Sequence, residues 1–222
     1  MDASTLSSGT GVVALLFGAA GLAWGVGTDR ISARWPAHED GSVRGVDWRT
    51  MVMAVFGTVA MAAVPVRFGD PAQRLLFGAW FAASVLLLAT DLDQKLMPHE
   101  VTIPLVVLGA VALAWGGNSL VNRSAEWLPI VAAVAVPGAL LALSLPFGAD
   151  AFGGGDVFYL AGAGMMIGLV RLILGVFAGV ILGGVATIVL LILRRITLRS
   201  YIPYGPFLIA GAIWAALLPA AS

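Results

Sequence analysis

Phe152-Gly153-Gly154-Gly155-Asp156 sets three glycines in front of one carboxylate, and Val157 to Ile167 behind it is almost wholly apolar. Glycine admits backbone geometries closed to other residues, and three in a row lose much conformational entropy when ordered. The run therefore delivers an acid to the threshold of an apolar helix. Asp156 can be read as the cap of that helix, because an acid near a helix N-terminus is favourable by itself. It can also be read as a functional group, since ionisable side chains at membrane depth are expensive. A second acid at the end of another apolar run, Thr90-Asp91-Leu92-Asp93, favours the functional reading.

Composition fixes the setting. Charged residues make up 11% of the 222-residue chain and hydrophobic ones 60%, with a mean hydropathy of +0.98; soluble domains carry about 25% charged residues. Most of the chain must face lipid or other buried helices. The net charge is zero, which gives no bulk electrostatic case for nucleic acid. There is no cysteine, so disulfides, thiolate metal sites and cysteine nucleophiles are excluded together. Only His38 and His99 are present, too few for a site built on several histidines. Met1 to Thr10 has Asp2 and no basic residue, so the first apolar run is expected to be a retained span rather than a cleaved signal.

Apolar runs of spanning or near-spanning length fall at about 10–27, 50–66, 73–90, 101–116, 127–146, 156–169, 171–193 and 201–219. These predict an all-α polytopic membrane protein of about eight transmembrane helices, or seven if the sixth and seventh runs, separated only by Leu169, Val170 and Arg171, are one span. Glycines such as Gly175, Gly179, Gly183 and Gly184 suit close helix approach in lipid. No repeat, low-complexity tract or soluble domain is visible. On an eight-span count, Arg30, Arg34, Arg44, Arg49, Lys95, Arg194, Arg195 and Arg199 share one side. Arg67, Arg74, Arg123 and Arg171 take the other, so the first side is expected to be cytoplasmic. Two spans lie between Asp91 and Asp156, so both acids emerge on one face whatever the orientation. The longest linker, 28–49, mixes both charge signs with Trp35 and Trp48. It is expected to be a solvated loop with interfacial tryptophans, the alternative being contact with a substrate lying along the membrane surface.

Two carboxyl groups held together can share one proton, because like charges at close range do not both ionise cheaply. The ionised one can then take a proton from water while the protonated one donates to a carbonyl oxygen. That chemistry suits an aspartic peptidase and needs neither metal nor cofactor. Ion-coupled transporters also hold acids at glycine-lined helix breaks, but the spans here are poor in polar groups, with Ser84 and Thr187 among the few. Asp93 could stand in for Asp91 as the working group. Glu100 and Asp150 are read as solvated or capping, Pro98 as a stop to helix continuation, and His99 as an exposed loop residue.

At this point the pattern becomes specific. Asp91-Leu92-Asp93-Gln94-Lys95-Leu96-Met97-Pro98-His99-Glu100-Val101-Thr102-Ile103-Pro104-Leu105 resembles the first active-site motif of the type IV prepilin peptidases. Gly153-Gly154-Gly155-Asp156 is similar to the Gly-x-Gly-Asp signature of that family and of intramembrane aspartyl peptidases generally. Ile202-Pro203-Tyr204-Gly205-Pro206-Phe207-Leu208 resembles the family's C-terminal segment. Gly25 through Arg34-Trp35-Pro36 resembles its entry to the first cytoplasmic loop, with Asp29 in the place of an asparagine. The likeness runs from residue 25 to 208 in the right order.

The resemblance implies Asp91 and Asp156 as the catalytic pair. It implies Gly153, Gly155, Pro98, Pro203, Gly205 and Pro206 as substrate-binding or loop-shaping residues, and leaves Asp93 outside the catalytic position. It also implies one membrane domain over residues 1–222. Within it, 1–72 supplies N-terminal spans, with loop 28–49 in the place of the family's methyltransferase-associated region, and 73–222 is the peptidase core. The expected substrates are prepilins or pseudopilins, cut at the cytoplasmic face of the inner membrane just before their hydrophobic helix. Many members also methylate the new N-terminus from S-adenosylmethionine. Those commonly carry Cys-x-x-Cys pairs in a longer loop, which this chain lacks. No cofactor and no metal are therefore expected, S-adenosylmethionine entering only if methyl transfer is retained. Phe158 stands where the family usually has lysine, which keeps open a catalytically silent pilin-binding relative.

Overall fold

A computed structural model describes residues 3–38, 41–121, 125, 127–147, 153–197 and 203–219. Arg123, Asp150, Phe152, Arg199 and Ile202, which entered the sequence reading, lie outside them. Among the described residues the fold is all-helical, with α1 (Ala3–Ser32), α2 (Trp48–Arg67), α3 (Pro71–Gln94) and α4 (His99–Trp115) followed by α5 (Trp127–Ser144), α6 (Gly154–Ile192) and α7 (Gly205–Leu217). Five of the seven are long and apolar enough to cross a membrane: Gly9–Ser32 within α1, then α2, α3, α5 and α6. The shorter α4 and α7 have 17 and 13 residues.

Local chemistry sets the helix ends. Asp70 caps α3 by accepting a hydrogen bond from the Gln73 backbone N–H (2.9 Å), with Pro71 pre-set for the first turn. Asp47 and Thr50 form a capping box on α2. Pro98 is the N-cap residue of α4, so His99 lies in that helix's first turn rather than in a loop. A proline beside a helix start costs no hydrogen bond, which is why Pro98 begins a helix here while also ending the preceding extended stretch. The α1 helix continues to Ser32, and Thr28, Asp29 and Ser32 are buried, so the first five residues of the expected solvated loop are instead helical and largely packed. Trp35 and Trp48 do stay exposed.

The sixth and seventh apolar runs form one helix element with a break at Gly168 (φ 76°, ψ 172°), a conformation open to glycine and strained for other residues. The break turns the chain back on itself. Before it, Gly162 packs against Leu105 on α4, and Gly164 against Ala132 and Ala133 on α5. After it, Gly175 packs against Gly211, and Gly179 against Phe207, on α7. A straight helix would carry Gly179 about 35 Å from Asp156 at 1.5 Å per residue. Instead Gly179 touches Phe207, two residues from a glycine seated against Asp91, which shares a cavity with Asp156. At the far end of the bundle Arg171 donates to the carbonyls of Ala215 (2.7 Å) and Leu218 (2.9 Å), and Arg67 donates to Leu218 (3.1 Å). These cations satisfy carbonyls that the last turn of α7 leaves free.

The core lies on α3, α7 and the first half of α6, with Phe77, Trp80, Phe81, Leu87, Tyr159, Leu160 and Ile209 buried. The side chains of α1, α2, α5 and the later part of α6 include many exposed apolar residues, such as Leu15, Val59, Val134 and Ile181. This is the pattern of a lipid-facing exterior around a packed centre.

Candidate active site

Three chain segments converge at one end of the bundle. The first is the end of α3, where Asp91 is 6% exposed and its carbonyl accepts a hydrogen bond from the Lys95 N–H (2.9 Å). Lys95 itself adopts a left-handed conformation (φ 56°), which ends the helix and turns Leu96, Met97 and Pro98 across the site. The second is the glycine run. Gly153 caps α6 with its backbone, its carbonyl accepting from the N–H groups of Asp156 (3.1 Å) and Val157 (3.3 Å). Asp156 thus sits in the first turn of α6, at the positive end of the helix dipole. The third is the start of α7, at Gly205 and Pro206.

Two glycines let these segments close on each other. A Cβ on Gly155 would lie 2.5 Å from Met97 Cβ and 2.6 Å from Met97 O, so only glycine lets α6 begin this near the turn after α3. A Cβ on Gly205 would lie 2.6 Å from Asp91 Oδ2. The start of α7 is therefore seated directly on the Asp91 carboxyl group.

The result is a cavity of about 410 Å³ that both Asp91 and Asp156 line. Asp91 Oδ2 and Asp156 Oδ1 are buried and have no hydrogen-bond partner among the described residues. Lys95 lines the same cavity and places a cation on its wall beside the two acids. A buried polar oxygen left without a protein partner is costly in a folded protein, and on the wall of a cavity it is open to a water molecule or a ligand. A pair of such oxygens on one cavity can accept from a water molecule, hold a proton between them, or donate to a carbonyl oxygen.

Of the residues singled out from sequence, Asp91, Pro98, Gly153, Gly155, Asp156, Pro203 and Gly205 all line this cavity. Pro206 does not; it is buried at the first turn of α7 and lines an adjoining apolar groove. Asp93 points away into an ion cluster. His99 and Glu100, read as peripheral, line the cavity from the first turn of α4. Phe158 is packed edge-on against His99, with ring centroids 5.3 Å apart. Lys95, Tyr204 and Pro36 also line it and were not singled out. For all three the available signal was their position inside the quoted family-like stretches.

Sequence reasoning also missed what holds the first loop in place. Arg44 reaches three helix ends with one guanidinium: Nε donates to Asp93 Oδ1 (2.7 Å) on α3, Nη1 to Asp47 Oδ1 (2.7 Å) at the cap of α2, and Nη2 to Asp29 on α1. Asp29 is fully buried and also accepts from Arg30 and from the Thr50 hydroxyl (2.6 Å). Burial disfavours the charged guanidinium of Arg44, but the hydrogen bonds and charges of Asp29 and Asp93 outweigh it and raise its pKa above the ordinary value. At Asp47 burial pushes the carboxyl up, while the Arg49 backbone N–H and the Arg44 and Arg49 charges more than offset it, so its pKa is lowered. His38 Nε2 lies 3.3 Å from Asp93 Oδ2, and the Gln94 side chain donates to the Pro36 carbonyl (2.7 Å). Pro36, part of the cavity wall, is thereby fastened to the helix that carries Asp91.

Fold and site together define a polytopic helical membrane protein with two carboxyl groups on one cavity at the end of the bundle. The chain belongs to the type IV leader peptidase family, whose sequence profile matches residues 75–188, a stretch containing both Asp91 and Asp156. It is similar to the prepilin leader peptidase/N-methyltransferase of Aeromonas salmonicida (strain A449), at 32% identity over 197 residues, covering 85% of this chain and 59% of that protein. The protein of the same name from Aeromonas hydrophila matches at 32% over 197 residues, with 85% and 59% covered. That from Stutzerimonas stutzeri matches at 30% over 149 residues, covering 63% of this chain and 50% of its own length. The chain thus spans between half and three-fifths of the length of these relatives. No solved structure matches it.

Proposed function

We propose that this protein is a membrane-embedded aspartic endopeptidase that removes the leader from prepilin or pseudopilin-like substrates, with Asp91 and Asp156 as its catalytic pair. The observation that carries the reading is the shared cavity, in which a buried oxygen of each carboxyl group is without a protein partner. The names borne by its relatives support the substrate class.

In this reading the pair works with one proton between them. The ionised carboxylate takes a proton from water as the water oxygen attacks the scissile carbonyl carbon. The protonated carboxyl donates its proton to the carbonyl oxygen, giving a neutral tetrahedral adduct. On collapse the ionised carboxylate takes the proton of one adduct hydroxyl as the carbonyl re-forms, the C–N bond breaks, and the protonated carboxyl gives its proton to the leaving amine, so that one proton again remains on the pair. Lys95 supplies a cation beside the acids, and Asp156 gains from its place at a helix N-terminus. The cavity would face the cytoplasm across the inner membrane, the side that the excess of arginine and lysine favours.

Methyl transfer is not assigned to this chain, because the cysteine pairs of the methylating members are absent. Co-expression with a candidate prepilin, followed by intact-mass analysis, tests the whole reading. The expected spectrum shows a pilin shortened by its leader and without an added methyl group. Asp91→Ala or Asp156→Ala should each leave the precursor uncut. A wild-type spectrum holding only full-length precursor would favour a silent pilin-binding relative, and cleavage persisting in either variant would remove the carboxyl pair from the mechanism.

A further inference from the structure

The aspartate cavity has an apolar neighbour. Between α2 on one side and the returning half of α6 on the other runs a groove of about 490 Å³, floored by α3 and α7. Val52 and Phe56 form one wall, Leu182 and Leu190 the other, and Leu88 and Leu92 contribute to the floor. The walls are open to the lipid side, since Val52 is 37% and Leu182 48% exposed. Lys95 and Pro203 line both the groove and the aspartate cavity, so the two spaces meet at those residues.

Three features select the occupant. The lining at membrane depth is apolar, so whatever lies there is apolar over that length and can arrive sideways from the bilayer. The end toward the cavity carries Arg49 and Lys95, so the occupant turns polar at that level. Past Lys95 the lining becomes acidic, with Asp91, Glu100 and Asp156. A lipid seated in the groove would end with its head group at Arg49 and Lys95; only a chain that continues past them reaches the acids, and there a peptide backbone with basic side chains is attracted.

We propose that this groove seats the apolar helix of the substrate that follows the scissile bond, its N-terminal end passing Pro203 and Lys95 to reach the carboxyl pair. The proposal rests on the peptidase reading above and adds where the substrate helix docks. Helix-in-groove recognition of this kind draws affinity from apolar contact and register from the end of the groove.

Purified full-length protein carrying Val52→Trp or Leu182→Trp tests it, with Leu143→Trp on the exposed face of α5 as the control. Two substrates are compared: a prepilin with its helix, and a peptide with the leader and cleavage site but no helix. The ratio of kcat/KM for the first over the second should fall about tenfold or more in the groove variants, through KM, and stay at the wild-type value in Leu143→Trp. A photo-crosslinking amino acid at position 182 should capture the substrate helix. Wild-type ratios in both groove variants, or crosslinks to lipid alone in the presence of substrate, would overturn the docking assignment while leaving the peptidase intact. Failure of the wild-type protein to cut either substrate would instead bring down the peptidase reading, and this proposal with it.

Discussion

Gly205→Ala isolates the geometry of the carboxyl pair without touching a carboxyl group. The added Cβ would stand 2.6 Å from Asp91 Oδ2, about 1 Å inside an ordinary van der Waals separation of roughly 3.5 Å. The methionine end that also crowds this site, on Met97, can swing aside because its chain is flexible. The Asp91 oxygen is different. No hydrogen bond among the described residues holds it, so it yields, or the start of α7 backs away. Either way the two acids change their relative position by a large part of an ångström. A displacement of that size in a catalytic constellation costs on the order of 100-fold in rate, or about 2.7 kcal/mol of barrier. Overpacking of this kind destabilises by about 1–3 kcal/mol, which thermal unfolding in detergent reads separately. The assay is leader cleavage by purified protein at saturating substrate. Gly184→Ala, whose Cβ would meet nothing within 4 Å, is the control and should match the wild type. A Gly205→Ala protein that cleaves at the wild-type rate would refute the claim that the α7 start positions Asp91.

Arg44→Met should destabilise the folded protein strongly. Removing one partner from a buried ion cluster costs about 3–5 kcal/mol because the other charges remain, and here fully buried Asp29 and nearly buried Asp93 would keep theirs. A clear drop in thermal midpoint is expected, smaller in Arg44→Lys, and no drop would show that the cluster adds nothing to stability. Gly179→Ala would set a Cβ 2.6 Å from the Phe207 carbonyl oxygen, pushing α6 off α7; a loss of about 1–3 kcal/mol is expected, read as a lowered thermal midpoint.

That Asp91 and Asp156 reach one cavity was legible because the first closes an apolar run and the second opens one, and the parity of the intervening spans puts them on one face. The turn between the sixth and seventh runs was nearly legible: the expected break at Leu169 to Arg171 falls at Gly168, the neighbouring residue able to take a positive φ without strain. The first loop was misjudged for a physical reason. Arg30, Arg44 and Asp29 look like solvated charges one by one, and only their mutual pairing lets Asp29 be fully buried. Pairing across 15 residues leaves no mark in local pattern. His99 was misplaced similarly, since a residue following proline reads as loop until the helix it starts is seen.

These elements make one device. A pair of acids from α3 and α6 cannot be brought together by those helices alone, because Asp91 closes one and Asp156 opens the other, 65 positions later. The reversal at Gly168 sends the second half of α6 back to the same end, where Gly175 and Gly179 admit α7 at close range. That contact presses Gly205 against Asp91, while Gly155 lets the start of α6 meet Met97 on the segment that follows Asp91. Glycine at four separate contacts thus sets the spacing of two side chains that none of those glycines could contact through a side chain of its own. The same reversal leaves the returning helix standing apart from α2, and the apolar groove between them opens onto the pair it helped to assemble.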